Sequence, residues 1–286
     1  MMKLLASIVA ALLCIGVLLG FAGWLHPAGD SLSLLRMPLG IACVIWALIR
    51  MRRALRLALL ACGTAAALTT VPPLVAGPAG GEFTIYSKNV WFGNTSVAAL
   101  ARDIRDSGAE VVMLQEVSRR NNMLLGSLAA AHPHQHLCTF SGWNGIAVLS
   151  RHPFTGDTIC SEQFGLAAAQ IIREGQEIWV GSVHFYWPYP YGQEKSRDAA
   201  LEVLARLDGP IVLAGDFNMF PWAASVQQLG QAANARLAGP TRPTFVIKGV
   251  PLLLDHVLAP GGGMIERRPL LGSDHRGIYG RVHLTP

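Results

Sequence analysis

The chain has 286 residues, of which 51% are hydrophobic and only 14% charged, against about a quarter charged in an ordinary soluble domain; this excludes a disordered chain and predicts that part of it sits in lipid. The net charge of +5 does not mark a polyanion-binding surface, because residues 1–81 hold six basic residues against Asp30 alone while residues 82–286 hold 17 basic and 17 acidic. The basic excess belongs to the apolar N-terminal third, where it reports topology.

In chain order, residues 4–25 run 22 positions without a charge, about 33 Å as a helix against a hydrocarbon core of roughly 30 Å, and predict a first transmembrane helix. A second is predicted over 31–49 and includes Arg36 near one end, where a long side chain can snorkel. A third is predicted over 57–76, broken near the surface by Pro72 and Pro73. The Arg-rich stretch 50–56 lies between the second and third spans, and the positive-inside rule places it in the cytoplasm. Three spans then put everything after residue 77 on the periplasmic or extracellular side of an inner (plasma) membrane. Cys14, Cys43 and Cys62 fall in the apolar runs, while Cys138 and Cys160 form the one pair in the polar part, open to either a disulfide or free thiols.

A Gly- and Pro-rich linker at 77–81 separates this membrane domain, residues 1–76, from a second domain over 82–286. That domain opens with a strand at 83–90, followed by an amphipathic helix from an N-cap at Thr95, with Val97, Leu100, Ala101 and Ile104 on one face. Further strands are predicted at 111–114, 145–149, 168–172, 178–185, 211–214, 252–258 and 277–284, with helices near 118–130, 194–207 and 222–229. Many strands among few helices predict a layered α/β sandwich with two mixed β-sheets flanked by helices. His132, His134 and His136 alternate around Pro133 and read as an exposed turn.

Polar residues stand directly after several apolar strands, where a packed scaffold holds them at a cleft rim. They are Asn89, Glu116 in Leu-Gln-Glu-Val, His184, and Asp216 with Asn218 in Gly-Asp-Phe-Asn. Asp255 in Leu-Asp-His-Val, and Asp274 with His275 in Ser-Asp-His, complete the set. Singly each has a plain structural reading as a turn former, cap or core histidine.

As an ordered set these motifs resemble the endonuclease/exonuclease/phosphatase superfamily, a group that includes exonuclease III, deoxyribonucleases and neutral sphingomyelinases. Ile146 to Pro153 and the Asn89 to Asn94 segment agree with it. The resemblance covers residues 83–284 and implies a Mg2+- or Mn2+-dependent hydrolase of phosphate esters. Glu116, Asn89 and Asp274 are the implied metal ligands, all oxygen donors suited to a hard cation. Asp216 is expected to orient or deprotonate the attacking water, Asn218, His184 and His275 to face the phosphate, and Asp255 to fix the tautomer of His275. The base is either Asp216 or the Asp255 and His275 pair. Trp91 stands where some nucleases of the group carry an acidic ligand, so one metal ion is the default. Endonuclease-like hydrolysis of phosphodiesters is the leading expectation. Cleavage of a lipid headgroup, a small-molecule phosphatase and a catalytically inactive membrane receptor are the alternatives.

Overall fold

A computed structural model describes residues 2–49, 51–75 and 79–285; Gly77 and Pro78 of the expected linker lie outside them. The N-terminal third forms helices α1 (Met2–Leu19), α2 (Pro27–Ser33), α3 (Arg36–Trp46), α4 (Arg53–Thr70) and α5 (Pro72–Val75). Ala10, Val17, Cys43, Leu59 and Ala66 make the core shared by α1, α3 and α4. The α3–α4 contact is close because both helices place glycine there: a Cβ on Gly40 would stand 2.5 Å from the Ala66 methyl, and one on Gly63 2.6 Å from Val44.

These helices differ from the three predicted spans, and among the described residues no single helix is long and apolar enough to cross a membrane. The first stops at Leu19, where the chain turns into a 3-10 segment at Ala22–Trp24. The second is split into α2 and α3, bent by 60°. Arg36 stands directly after the break. It does not snorkel but is buried, with Nη2 donating to the Gly20 carbonyl at 2.5 Å and Nη1 to the Trp222 carbonyl at 3.1 Å. The helical module is therefore bonded to the rest of the protein. Asp30 accepts from the backbone N–H groups of Ala224 and Ser225, and Trp222 Nε1 donates to the Ser33 carbonyl at 2.8 Å. Thr241 N–H donates to the Pro73 carbonyl at 2.8 Å.

Residues 82–285 form the expected sandwich. The first sheet has the spatial order β13 (Gly263–Arg267), β14 (Ile278–Val282), β1 (Phe83–Asn89), β2 (Val111–Val117), β4 (Gly145–Ser150), β3 (His134–Thr139). The second runs β5 (Phe154–Cys160), β6 (Leu166–Arg173), β7 (Gln176–His184), β8 (Ile211–Asp216), β12 (Asp255–Ala259), β9 (Arg236–Leu237). A hairpin, β10 (Phe245–Ile247) and β11 (Val250–Leu252), stands apart. Ile85, Met113 and Val148 of the first sheet pack on Val180, Val212 and Val257 of the second.

The outer faces are covered by α6 (Val97–Ser107) and α7 (Met123–Leu128) on one side, and by α8 (Gln193–Leu204) and α9 (Ala224–Ala232) on the other. In α6 the predicted stripe of Val97, Leu100, Ala101 and Ile104 is the buried one. The helix starts after Ser96 rather than Thr95, because Asn94 Oδ1 accepts from Ser96 N–H and makes the turn into it. The 132–136 region is not an exposed turn: His132 is buried against the Ala109 carbonyl, and His134 and His136 lie in β3. Edge strands β3 and β5 are joined by a Cys138–Cys160 disulfide.

Each sheet contains one parallel pair, β1 with β2 and β7 with β8, and each pair is connected through a helix on the outer face. Parallel pairing requires such a crossover. It also brings the carboxyl ends of four strands to one edge of the sandwich, where open α/β sheets hold their ligands. Asn89, Glu116, His184 and Asp216 sit at or next to those four ends.

Candidate active site

Register places the groups before any side chain is considered: His184 lies opposite Asp216 on β7 and β8, and Asp216 opposite Asp255 on β8 and β12. Asn89 crosses between the sheets, its Nδ2 donating to Glu116 Oε1 at 3.0 Å and Asp216 Oδ2 at 3.1 Å, while its Oδ1 accepts from Trp91 N–H. Glu116 sits at φ 57° in a bulge of β2, unpaired between Gln115 and Val117, which turns its carboxylate toward the cleft, and the Phe92 N–H donates to its second oxygen at 3.0 Å. Strain of this kind is held by the surrounding bonds and is common where a side chain is aimed at a ligand.

Asp255 Oδ2 and His275 Nδ1 are 2.8 Å apart, and His275 Nε2 lies 3.6 Å from Asp216 Oδ2. His184 Nε2 is 3.6 Å from the same Asp216 oxygen and 3.9 Å from Glu116. Burial opposes charge on His275, but the carboxylates of Asp255 and Asp216 outweigh it and raise its pKa to about 10. His184 goes the other way. Burial, reinforced by the charge of His275, lowers its pKa to about 3 and keeps the imidazole neutral. Burial raises the pKa of Asp216 in spite of His275, and burial together with Asp274 raises that of Glu116.

All eight predicted residues meet at one cleft of about 270 Å³. Glu116, His184, Asp216, Asn218, Asp274 and His275 line it, while Asn89 and Asp255 stand behind, each bonded to a lining residue. Strand β8 ends at Asp216, and Asn218 adopts φ 49°. Asp216 Oδ1 accepts from Asn218 N–H at 2.8 Å, and Asn218 Nδ2 donates to the Phe185 carbonyl. Phe217 is buried in the core, and His256 turns away, bonded to the Met219 carbonyl. A larger cavity of about 390 Å³ beside α9 has Arg236 as its one charged lining residue, whereas the smaller cleft gathers Glu116, Asp216, Asp274 and two histidines.

Two donor sets face a divalent cation's needs in this region. Asp216, Asp255 and His275 bring ligand atoms within 4.8 Å of one another, but the hydrogen bond between Asp255 and His275 and the raised pKa of His275 make them an acid–base group. Glu116 and Asp274 are carboxylates coupled through their charge on the cleft wall, with Asn89 and Asp216 adjacent. Oxygen donors suit hard cations such as Mg2+ or Mn2+, so this set fits. His136, Cys138 and Cys160 also cluster, but their sulfurs are spent in the disulfide.

Supporting residues were missed from the sequence. Buried Lys88 donates to the carbonyls of Pro269, Leu270 and His275, holding the loop that carries Asp274 and His275; burial lowers its pKa to about 8. Ser273 Oγ donates to the Asn89 carbonyl and receives His275 N–H. Gln193 Nε2 reaches the carbonyls of Tyr186, Phe217 and Asn218. A lysine inside the apolar run of β1 was the one visible signal; the others are ordinary polar residues of loops and helix starts.

The fold recurs among solved structures. The chain superposes on an endonuclease/exonuclease/phosphatase from Beutenbergia cavernae with TM-score 0.52 and 19% identity, covering 71% of this chain and 72% of that one. D. rerio TDP2 complexed with single strand DNA product gives 0.54 and 19%, with 69% and 97% covered. A variant of the beta toxin of Staphylococcus aureus with bound magnesium ions gives 0.55 and 15%, with 70% and 99% covered. No curated protein sequence matches the chain. The Endonuclease/Exonuclease/phosphatase family, whose members are metal-dependent phosphoester hydrolases, matches residues 86–275, about two thirds of the length. The chain belongs to that family.

Proposed function

We propose that the protein is a Mg2+- or Mn2+-dependent phosphodiesterase held on a membrane by its N-terminal helices. The observation that carries the chemistry is the meeting of the Asp255–His275 pair with Asp216, opposite the Glu116 and Asp274 carboxylates. Glu116 and Asp274, with Asn89 beside them, are assigned as the metal's ligands; the bound cation would neutralise phosphoryl oxygens and assist the leaving group.

Asp216, buried and raised in pKa, takes a proton from the attacking water, the role for which a base near neutrality is best suited. Protonated His275 donates from Nε2 to a phosphoryl oxygen, and Asp255 holds that proton arrangement through Nδ1. Neutral His184 and the side-chain amide of Asn218 add further donors to the developing charge. TDP2, whose DNA-product complex shares the fold, favours nucleic acid as one substrate class for this reading.

Membrane attachment draws on the outer faces of α1, α3 and α4, where Leu4, Leu12, Ile41, Ile45, Leu57 and Leu68 are exposed. Arg52, Arg53 and Arg56 fall at the end of the helices remote from the catalytic domain, which agrees with a cytoplasmic basic loop and a catalytic domain outside. The disulfide fits an oxidising exterior. Full-length protein in detergent should hydrolyse bis(p-nitrophenyl) phosphate with Mg2+ or Mn2+ and stop in EDTA; undiminished turnover in EDTA would remove the metal from the reading.

A further inference from the structure

Cys138 and Cys160 are the two cysteines of the catalytic domain, and a histidine stands with them. In β3 the strand period of two places His134, His136 and Cys138 on one face. The His134 ring packs against Phe154 at 5.8 Å. His136 instead brings Nε2 to 3.1 Å from Cys138 Sγ and 3.6 Å from Cys160 Sγ, with the Ile159 carbonyl at 3.3 Å. The three ligand atoms all lie within 4.8 Å of one another. Burial holds the His136 imidazole below its ordinary pKa, against the pull of the Ile159 carbonyl, so the ring is neutral, the form that ligates a metal.

Zinc holds a thiolate sulfur at about 2.3 Å and an imidazole nitrogen at about 2.0–2.1 Å, in a tetrahedron. Such an ion sets sulfur and nitrogen about 3.6 Å apart and its two sulfurs about 3.8 Å apart. The His136 nitrogen already stands near that separation from both sulfurs. Once the disulfide is open the sulfurs have only to part. β5 allows this, because it is an edge strand paired on one side alone, with a register shift between Phe154 and Thr158. Cys160 is exposed and His136 half-buried, so a reductant and then an ion can reach the sulfurs from solvent. Two thiolates and an imidazole select a softer cation than the oxygen donors of Glu116 and Asp274 do, so the two sites sort their ions.

We infer that His136, Cys138 and Cys160 form a redox-gated zinc site, closed to metal while the disulfide stands and open to one Zn2+ once it is reduced. In the opening step a dithiol reductant gives two electrons and two protons to the Cys138–Cys160 bond and leaves as its own disulfide. The two thiols then release their protons to solvent as the ion binds, and His136 coordinates through Nε2 with its ring proton on Nδ1. A water completes the tetrahedron. β3 and β5 are edges of different sheets, so the ion takes over the disulfide's link between them. It does so beside Phe164, which shares a packing cluster with Cys138 and whose ring lies 4.8 Å from that of His184. The site does not depend on which phosphoester is cleaved.

The test uses the full chain in detergent, reduced with dithiothreitol and freed of it by anaerobic gel filtration, against the oxidised chain, both with Mg2+ in excess. Cys14, Cys43 and Cys62 are free in both samples, so a difference between them belongs to Cys138 and Cys160. The reduced chain should take up one more equivalent of Zn2+ than the oxidised chain. Co2+ in place of zinc should give it a thiolate-to-cobalt charge-transfer band that the oxidised chain lacks, and Zn2+ should raise its unfolding midpoint more than that of the oxidised chain. His136→Ala should weaken the added zinc equivalent by about tenfold or more, with disulfide formation in the oxidised variant showing that it folds. Cys160→Ser approaches the same site from its exposed side and should lose the added equivalent. Equal zinc uptake by the reduced and oxidised chains, or an added equivalent without the thiolate band, would overturn the inference. So would unchanged zinc affinity in His136→Ala, or an added equivalent retained by Cys160→Ser.

Discussion

The junction between the helical module and the catalytic domain can be tested at one carboxylate. Helix α9 starts after Ala223, which has no side chain able to cap it. The cap comes instead from Asp30, some 190 residues earlier, which accepts from Ala224 N–H at 2.7 Å and Ser225 N–H at 2.9 Å while 3% exposed. Asp30→Ala removes a cap, costing about 0.5–2 kcal/mol. It also leaves two buried N–H groups without a partner, about 1–3 kcal/mol each before water enters the space. The two costs overlap, because the cap is those two hydrogen bonds; with water partly satisfying the freed groups the loss is about 2–4 kcal/mol, and at about 2–4 °C per kcal/mol for a chain of this size the midpoint should fall by about 4–16 °C. Asp30→Asn keeps an acceptor and should lose roughly half as much. The measurement is thermal unfolding of the full chain in detergent, wild type against both variants. An Asp30→Ala midpoint within a degree of wild type would show that the module does not depend on this joint.

Asp255→Asn removes the nearest carboxylate from His275. Because the folded pKa is raised above the ordinary 6.5 to about 10, the stability contributed by His275 is complete below about pH 6.5 and lost as pH rises through about 10; the variant should lose its proton at lower pH. Turnover should fall by about 10²–10⁴-fold, with the alkaline limb of the pH profile moved downward, and an unmoved limb would refute the pairing. At the other end of the sandwich Glu110 accepts from Arg173 and His152, and although burial works against its charge, these partners lower its pKa below 4.5. Its contribution is present above pH 4.5 and lost as pH falls through the depressed value, so Glu110→Gln should unfold more easily at pH 7 and show a flatter acid limb in urea titrations. Gln193→Leu leaves the carbonyls of Phe217 and Asn218 without their donor and should lower kcat on the small diester about tenfold or more while KM moves little.

The candidate set was legible because Asn89, Glu116, His184 and Asp216 stand at or next to the ends of apolar strands, which sequence periodicity reveals best, while Asp255, Asp274 and His275 were found through their short motifs. What joins Asn89 to Asp216, or Asp255 to His275, was not legible, since those contacts depend on strand register and on how two sheets stack. Short edge elements were missed for a related reason: β9 has two residues and β10 and β11 three each, too few for any period to show. β3 was hidden by Pro133 and its alternating histidines. The N-terminal spans were misjudged at Arg36, where hydropathy sees one charge at the end of an apolar run; its partners, Gly20 and Trp222, lie 16 and 186 residues away. Arg36 opens α3 directly after the bend, with its hydrogen bonds reaching the Trp222 and Gly20 carbonyls.

The disulfide between β3 and β5 joins the outermost strands of two different sheets. Both flanks of the sandwich that would otherwise be free to part at that border are thereby riveted, and the rivet shares its packing cluster with Phe164, whose ring lies 4.8 Å from that of His184. Since Asn89 belongs to one sheet and Asp216 to the other, the active centre exists only while the two leaves stay closed like a book. Reducing the Cys138–Cys160 bond would let that book breathe at its open edge, so enzymatic competence should decay at temperatures where the secondary structure is still intact, making the redox state of the surroundings a condition on catalysis before it is one on folding.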